Sequence, residues 1–283
     1  MKRSFFFFVV FIAVIFSSCD KVKNPYGVKT TVVTPSGKVR KVLLEDYTGH
    51  LCPNCPAAAQ TAQTIKGIYG RRLVIMSVHA GNFSVPGATP YTYDFRTSVG
   101  DAYYNFFIPS YFPIGMVNRM GFPVTQQWKD YSNWGTIVDS LMAKAPDADI
   151  QIINTYTTSS RLLNTTVSCK FLNLLTSGTY KLVVLLTEDS IQNAQKDKNL
   201  IPPDNLTYYH RDVLRDVITT TAWGDSIATG PIVAGDSIVK TYQYTLPATF
   251  KGMAPVASQC YLVAYVYNAS TYQIIQVEEK KIQ

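Results

Sequence analysis

The sequence predicts an α/β unit followed by an all-β sandwich. Two apolar runs, 42–47 and 73–78, flank a helix-like run at 56–69, the layout of a strand–helix–strand crossover. A Cys-Pro-Asn-Cys motif at 52–55 stands where the first strand gives way to that helix. Beyond residue 147 the texture changes to short alternating runs with no long helical pattern between them, the mark of an antiparallel sandwich of immunoglobulin-like type.

The chain of 283 residues is long enough for two separate cores. It opens on the basic Met1-Lys2-Arg3, and residues 5–16 are an unbroken apolar run of twelve, too short to span a bilayer and suited to a signal-peptide core. Phe16-Ser17-Ser18-Cys19 resembles a bacterial lipoprotein cleavage box. The resemblance implies that residues 1–18 are removed and that Cys19 becomes a lipidated first residue, anchoring the chain in a membrane. An ordinary secretory signal cut nearby is the alternative. Residues 19–27 are polar, with Pro25 and Gly27, and read as a tether.

Within 28–146, strands are expected at 28–34 and 39–47, joined by the turn signal Pro35-Ser36-Gly37. In the helix at 56–69, Ala58, Thr61, Ala62, Ile65, Ile68 and Tyr69 share one face, and Pro56 falls in the first turn, where its missing N–H is no loss. Residues 73–78 are apolar on both faces, as in a central parallel strand. Residues 80–97 read as an excursion, 99–107 as a helix, 114–117 as a strand and 133–144 as a closing helix. In the second domain, 147–283, strands are expected at 150–157, 164–172, 180–187, 238–246, 260–267 and 273–280. A long insertion at about 190–235 interrupts them, with a short helical candidate at 209–218.

Apolar residues make up 47% of the chain and charged residues 16%, a globular balance and not a disordered one. The net charge of +7 comes from scattered residues, and no nucleic-acid module is present. Neither a further membrane-spanning run nor the alternation of a membrane barrel is evident.

Setting aside Cys19, four cysteines remain, an even number suited to an oxidising envelope. Cys52 and Cys55 are one candidate pair. Cys52 would stand at a helix N-terminus, where free N–H groups and the helix dipole favour a thiolate, and the thiolate is the reactive form. Cys55 lies one turn on, placed to attack a mixed disulfide and release the partner. The alternative is a purely structural disulfide. Cys169 and Cys260 point inward on expected core faces and could form an inter-sheet disulfide or remain as two buried thiols.

Residues 38–145 resemble the thioredoxin superfamily in three features: the Cys52-Pro53-Asn54-Cys55 motif between strand and helix, Asp46 six residues before the first cysteine, and Phe112-Pro113-Ile114 before a short strand. The resemblance implies that Cys52 is the nucleophile, that Cys55 resolves, and that a buried Asp46 handles the proton of the second cysteine. It also implies that Pro113 is a cis-proline, forming a substrate groove with Phe112. His50 stands where it could stabilise the thiolate, replacing the usual pattern together with Leu51, where thioredoxin has Trp. Glu45 alternates with Asp46, so only one of the two is expected to point inward. The whole layout, with Tyr47-Thr48-Gly49 and residues 112–119, resembles the Bacteroidetes outer-membrane lipoprotein family named for a twenty-eight-kilodalton outer membrane protein.

Two functions are compatible with this reading. One is a lipid-anchored envelope thiol–disulfide oxidoreductase acting on envelope proteins with thiols or disulfides. The other is a surface binding or adhesion lipoprotein with a non-catalytic scaffold. No cofactor is called for. Cys52, Cys55 and His79 lack the spacing of a metal chaperone, and no metal site is assigned. Tyr261, Val263, Tyr265 and Tyr267 alternate on one strand face and would either grip a ligand or pack between domains.

Overall fold

A computed structural model describes residues 37–123 and 126–283. The signal segment, Cys19, the tether and the strand expected at 28–34 lie outside the described residues. Gly37–Gln283 forms one compact unit.

The first half runs β1 (Val42–Thr48), α1 (Cys55–Tyr69), β2 (Leu73–His79), α2 (Ser98–Phe107), β3 (Ile114–Val117), β4 (Trp128–Lys129) and α3 (Trp134–Met142). The second runs β5 (Ala148–Thr157), β6 (Leu162–Phe171), β7 (Thr179–Glu188), β8 (Ile191–Lys196), β9 (Asp204–His210), β10 (Val213–Val217), β11 (Asp225–Thr229), β12 (Ser237–Thr245), β13 (Cys260–Asn268) and β14 (Ile274–Lys281).

β1 and β2 are parallel neighbours, and β3 runs antiparallel to β1 on its other side. Every residue of β1 and β2 is buried because both faces of the sheet are covered. Val42, Leu44, Leu73 and Ile75 pack against Ala58, Ala62 and Ile65 of α1 and Trp134 and Val138 of α3. Leu43, Tyr47, Val74 and Met76 pack against Val99, Tyr103 and Phe107 of α2. Thr97 caps α2, its Oγ1 accepting the Gly100 N–H at 3.0 Å. Both Glu45 and Asp46 are therefore buried, on opposite faces, where one inward acid was expected. An expectation of one exposed face does not survive a sheet sandwiched between layers.

The strands on either side of Pro146-Asp147 belong to one sheet of order β14-β13-β7-β10-β2-β1-β3-β4, with β11 also paired to β7. β10 is the splice: it pairs antiparallel with β7 and meets β2 in parallel, Val213 opposite Ser77. The segment expected as an insertion with a helix at 209–218 is instead a run of strands, β8 to β11, and 209–218 is the end of β9 and all of β10. Val213 and Leu214 are buried as strand neighbours and not as a helix face, and Asp212 turns the chain between them and β9 with φ 51°.

A second sheet, β12-β6-β5, packs across β7, β13 and β14 to give the sandwich-like part. Its core includes Ile150, Leu163, Val167, Phe171, Leu182, Val184, Leu262 and Val266. Cys169 and Cys260 are both buried here as free thiols, so the disulfide weighed between them is not formed. Cys169 stands in the small sheet, opposite Ile150 and Ile238, and Cys260 in the large one, opposite Glu188. Burial pushes both thiols up to about 12.

The tyrosine ladder on β13 is a seam and not an exposed grip. Val263, Tyr265 and Tyr267 are buried against α2. Arg119 lies fully buried between them and Glu45: its Nε donates to Glu45 Oε2 at 2.8 Å and one terminal nitrogen to Oε1 at 2.7 Å and to Tyr265 Oη at 3.0 Å.

Candidate functional site at the Cys52-Cys55 motif

β1 ends at Thr48, and four residues later the chain reaches Cys52 at the head of α1. Gly49 makes that short connection feasible: a Cβ there would fall 2.4 Å from the Phe83 carbonyl oxygen, which accepts the Leu51 N–H at 2.9 Å. The Cys52 carbonyl accepts from Cys55 N–H at 3.2 Å, a tight turn that leads into the helix. Cys52 and Cys55 are joined by a disulfide with Cα atoms 5.4 Å apart.

A nucleophilic Cys52 needs access for a partner sulfur. Little is open to it: Cys52 is 1% exposed and Cys55 2%. The cover is the β8–β9 ribbon. Lys196 N–H donates to the His50 carbonyl at 2.8 Å and Lys198 N–H to the Pro53 carbonyl at 2.9 Å. The buried Gln195 side chain donates to the Cys52 carbonyl at 3.0 Å and leans on the Gly49 carbonyl at 3.3 Å. Tyr91 donates to Asp204, and Lys196 bridges to the same carboxylate at 3.2 Å, fastening the ribbon to the excursion.

Asp46 is 1% exposed, and its Oδ1 has no hydrogen-bond partner. Desolvation alone raises its pKa from 3.8 to about 7. Asp46 and Cys55 both line a cleft of about 670 Å³ between α1 and β9. Asp46 is thus buried near the motif end of β1, and β9 supplies the second wall of the space it faces.

The other expected groove residues lie elsewhere. The Phe112-Pro113 peptide is cis, and Ile114 stands opposite Tyr47, so Pro113 comes beside Thr48 at the motif end of β1. Phe112 packs on Phe83, ring centroids 5.9 Å apart. Neither residue lines the cleft that Cys55 faces, nor does His50. His50 is buried, stacked on Tyr91 at 5.8 Å, and its pKa is lowered by desolvation. It is neutral near pH 7 and supplies no positive charge to a thiolate, contrary to the sequence expectation.

All three histidines of the chain meet around Phe95, whose ring centroid is 5.9 Å from His50, 4.6 Å from His79 and 4.4 Å from His210. His79 and His210 line the cleft. Burial drives the His79 pKa well below 6.5, and that of His210 to about 3. Both ring nitrogens of His50 and His79, and Nε2 of His210, have no partner. Among the described residues no three of His, Cys, Asp and Glu are grouped to hold a metal ion.

Sequence reasoning missed Gln195, Lys196, Lys198 and Tyr208. The signal was present: Pro202-Pro203-Asp204 separates two short runs, and Thr207-Tyr208-Tyr209 has the β-branched and aromatic character of a strand.

The profile of the Outer membrane protein Omp28 family matches residues 100–283. The chain belongs to this family. An Omp28 member is an outer membrane protein of the cell envelope, and that is where this protein resides. Among solved structures, HBP35 of Porphyromonas gingivalis is similar with a TM-score of 0.63 and 17% identity, over 87% of this chain and 76% of that one. A protein of Agrobacterium tumefaciens is similar with a TM-score of 0.51 and 12% identity, over 88% of this chain and 97% of that one. A domain of the outer membrane lipoprotein Omp28 from Porphyromonas gingivalis is 25% identical over 49% of this chain and 89% of that one, with a TM-score of 0.33. The first two are likenesses of fold. No curated protein matches the chain. Among the described residues no helix is long and apolar enough to cross a membrane.

Proposed function

We propose that this Omp28-family protein is a lipid-anchored thiol–disulfide exchange protein of the outer membrane, with Cys52 and Cys55 as its redox pair. The observation that carries the reading is Asp46. A buried carboxyl without a partner at Oδ1 is costly in a fold that could have placed an apolar residue there. Its cost has a use where a thiol must lose or gain a proton near neutral pH, and Asp46 faces the same cleft as Cys55.

The sheet order β2-β1-β3-β4, with α1 and α3 on one face and α2 on the other, supports a thioredoxin-like first half. The pairing of β12-β6-β5 across β7, β13 and β14 supports an immunoglobulin-like second half, fused to the first through β10. Lipid on Cys19 follows from the resemblance of Phe16-Ser17-Ser18-Cys19 to a lipoprotein box and fits an outer-membrane family. Globomycin sensitivity and palmitate labelling that vanish in Cys19→Ala are the expected results. Labelling that persists in that variant removes the anchor.

Exchange is tested by equilibrating the full chain in glutathione buffers and reading the Cys52–Cys55 state by thiol alkylation. A reversible transition is expected. A pair that stays oxidised at every poise favours a second reading, a binding lipoprotein with a structural disulfide. Burial of Cys52 beneath the β8–β9 ribbon supports that alternative. On it, a Cys52→Ser/Cys55→Ser protein retains full capture of glycan or protein ligands at the cell surface.

A further inference from the structure

The cleft reaches Cys55 and not Cys52. Cys52 lies under Gln195 and the β8–β9 ribbon, whereas Cys55 is part of the lining beside α1. The opposite wall is β9. Residues 207–211 line the space in unbroken succession. Neighbouring residues of a strand point to opposite faces, so a strand lines a space in succession only with its backbone edge turned toward it. Among the described residues β9 pairs with β8 alone, leaving its other edge open. The deep part of the cleft holds three buried groups with unpartnered polar atoms, Asp46, His79 and His210.

The geometry points to a docking site for an extended, thiol-bearing polypeptide, which adds to the open edge of β9 as a third strand and presents its cysteine to Cys55. Main-chain hydrogen bonds to β9 hold such a chain without demanding a particular sequence. This inference rests on the exchange reading above, and it reverses the roles the two cysteines have in the thioredoxin pattern.

In the first step the incoming thiol gives its proton to Asp46. The resulting thiolate attacks Cys55 Sγ, the Cys52–Cys55 bond breaks, and its electron pair leaves on Cys52 as a thiolate. Cys52 lies three residues before the first residue of α1, at the positive end of the helix dipole, which favours an anion, and a stabilised thiolate is the better leaving group. A second thiol of the same substrate chain then gives its proton to the Cys52 thiolate and attacks the substrate sulfur of the mixed disulfide, expelling Cys55 as a thiolate that takes up the proton held by Asp46. Two substrate thiols become a disulfide, and the protein disulfide becomes a dithiol.

The test uses the oxidised full chain and a short peptide of alternating threonine and valine with one central cysteine. The reaction is quenched early with N-ethylmaleimide and the products are mapped by mass spectrometry. Peptide on Cys55 with maleimide on Cys52 is the expected result. Peptide on Cys52 with maleimide on Cys55 overturns the role reversal while leaving exchange intact. No adduct on either sulfur overturns both. A second arm uses the same peptide N-methylated at alternate residues, which cannot pair as a strand. It should react about tenfold more slowly, the loss expected from one or two net backbone hydrogen bonds. Equal rates overturn the strand addition.

Discussion

Asp46→Asn should make the oxidised protein more stable, and only above a defined pH. In the folded chain the carboxyl titrates at about 7, and in the unfolded chain near 3.8. Below 3.8 the side chain is neutral in both states and contributes no difference. Between 3.8 and 7 the folded state holds the extra proton, so the native protein loses stability as pH rises through this window. Above 7 the ionised carboxylate is carried in the interior at a cost of about 4 kcal/mol. Asparagine has the same shape and never ionises. Between pH 5 and pH 8 the advantage of the variant should therefore grow by about 3 kcal/mol, less what water in the cleft recovers for the carboxylate. Urea unfolding of both oxidised proteins at the two pH values measures it. A gap that stays constant with pH would show that Asp46 is not held neutral by burial. The same variant should exchange thiols at least about tenfold more slowly, because the incoming thiol has lost its proton acceptor. Greater stability with an unchanged exchange rate would leave Asp46 without a chemical role.

Other outcomes follow from the same structure. His210 has the opposite sign: its folded pKa of about 3 lies below the ordinary 6.5, so the unfolded state binds the proton and native stability falls as pH drops below 6.5. Relative to wild type, His210→Leu should gain about 2 kcal/mol between pH 6.5 and pH 5 by chemical denaturation, and a pH-independent difference would refute the buried neutral imidazole. Arg119→Met should cost about 3–5 kcal/mol because it strands Glu45 as a buried unpaired charge, whereas adding Glu45→Met should restore much of the loss; strictly additive effects would sink this. Gln195→Ala removes the donor to the Cys52 and Gly49 carbonyls and should speed reduction of the disulfide by dithiothreitol roughly tenfold, with no acceleration expected if the ribbon is not the cover. Alkylation of unreduced protein in denaturant should modify Cys169 and Cys260 and spare Cys52 and Cys55, while the native protein leaves all four unmodified.

The elements of the first half were legible because their periodicity is local. Residues 73–78 read as a strand buried on both faces and fold as β2, and 114–117 folds as β3 without adjustment. The motif could be placed from the strand and helix that flank it, whereas Asp46 and the strand next to Pro113 were expected from the resemblance to the thioredoxin pattern. The β8–β9 ribbon and β10 were not legible as parts of the site. β8 and β9 pair with each other as a local hairpin, but what brings that hairpin and β10 to the site is contact with residues far away in sequence, Val213 with Ser77 and Lys196 N–H with the His50 carbonyl.

By itself, then, the chain determined that two cysteines would meet at the start of a helix, with a carboxyl near them and a β-rich partner beyond. Which of those sulfurs faces open space, whether His50 carries a charge, and whether Cys169 reaches Cys260 were decided only by the tertiary structure. Adjacent residues constrain backbone shape, and so they fix where a side chain begins. Solvation, charge and access depend on what is packed above it, and here that cover arrives from about 140 residues further along the chain, as Gln195 over Cys52.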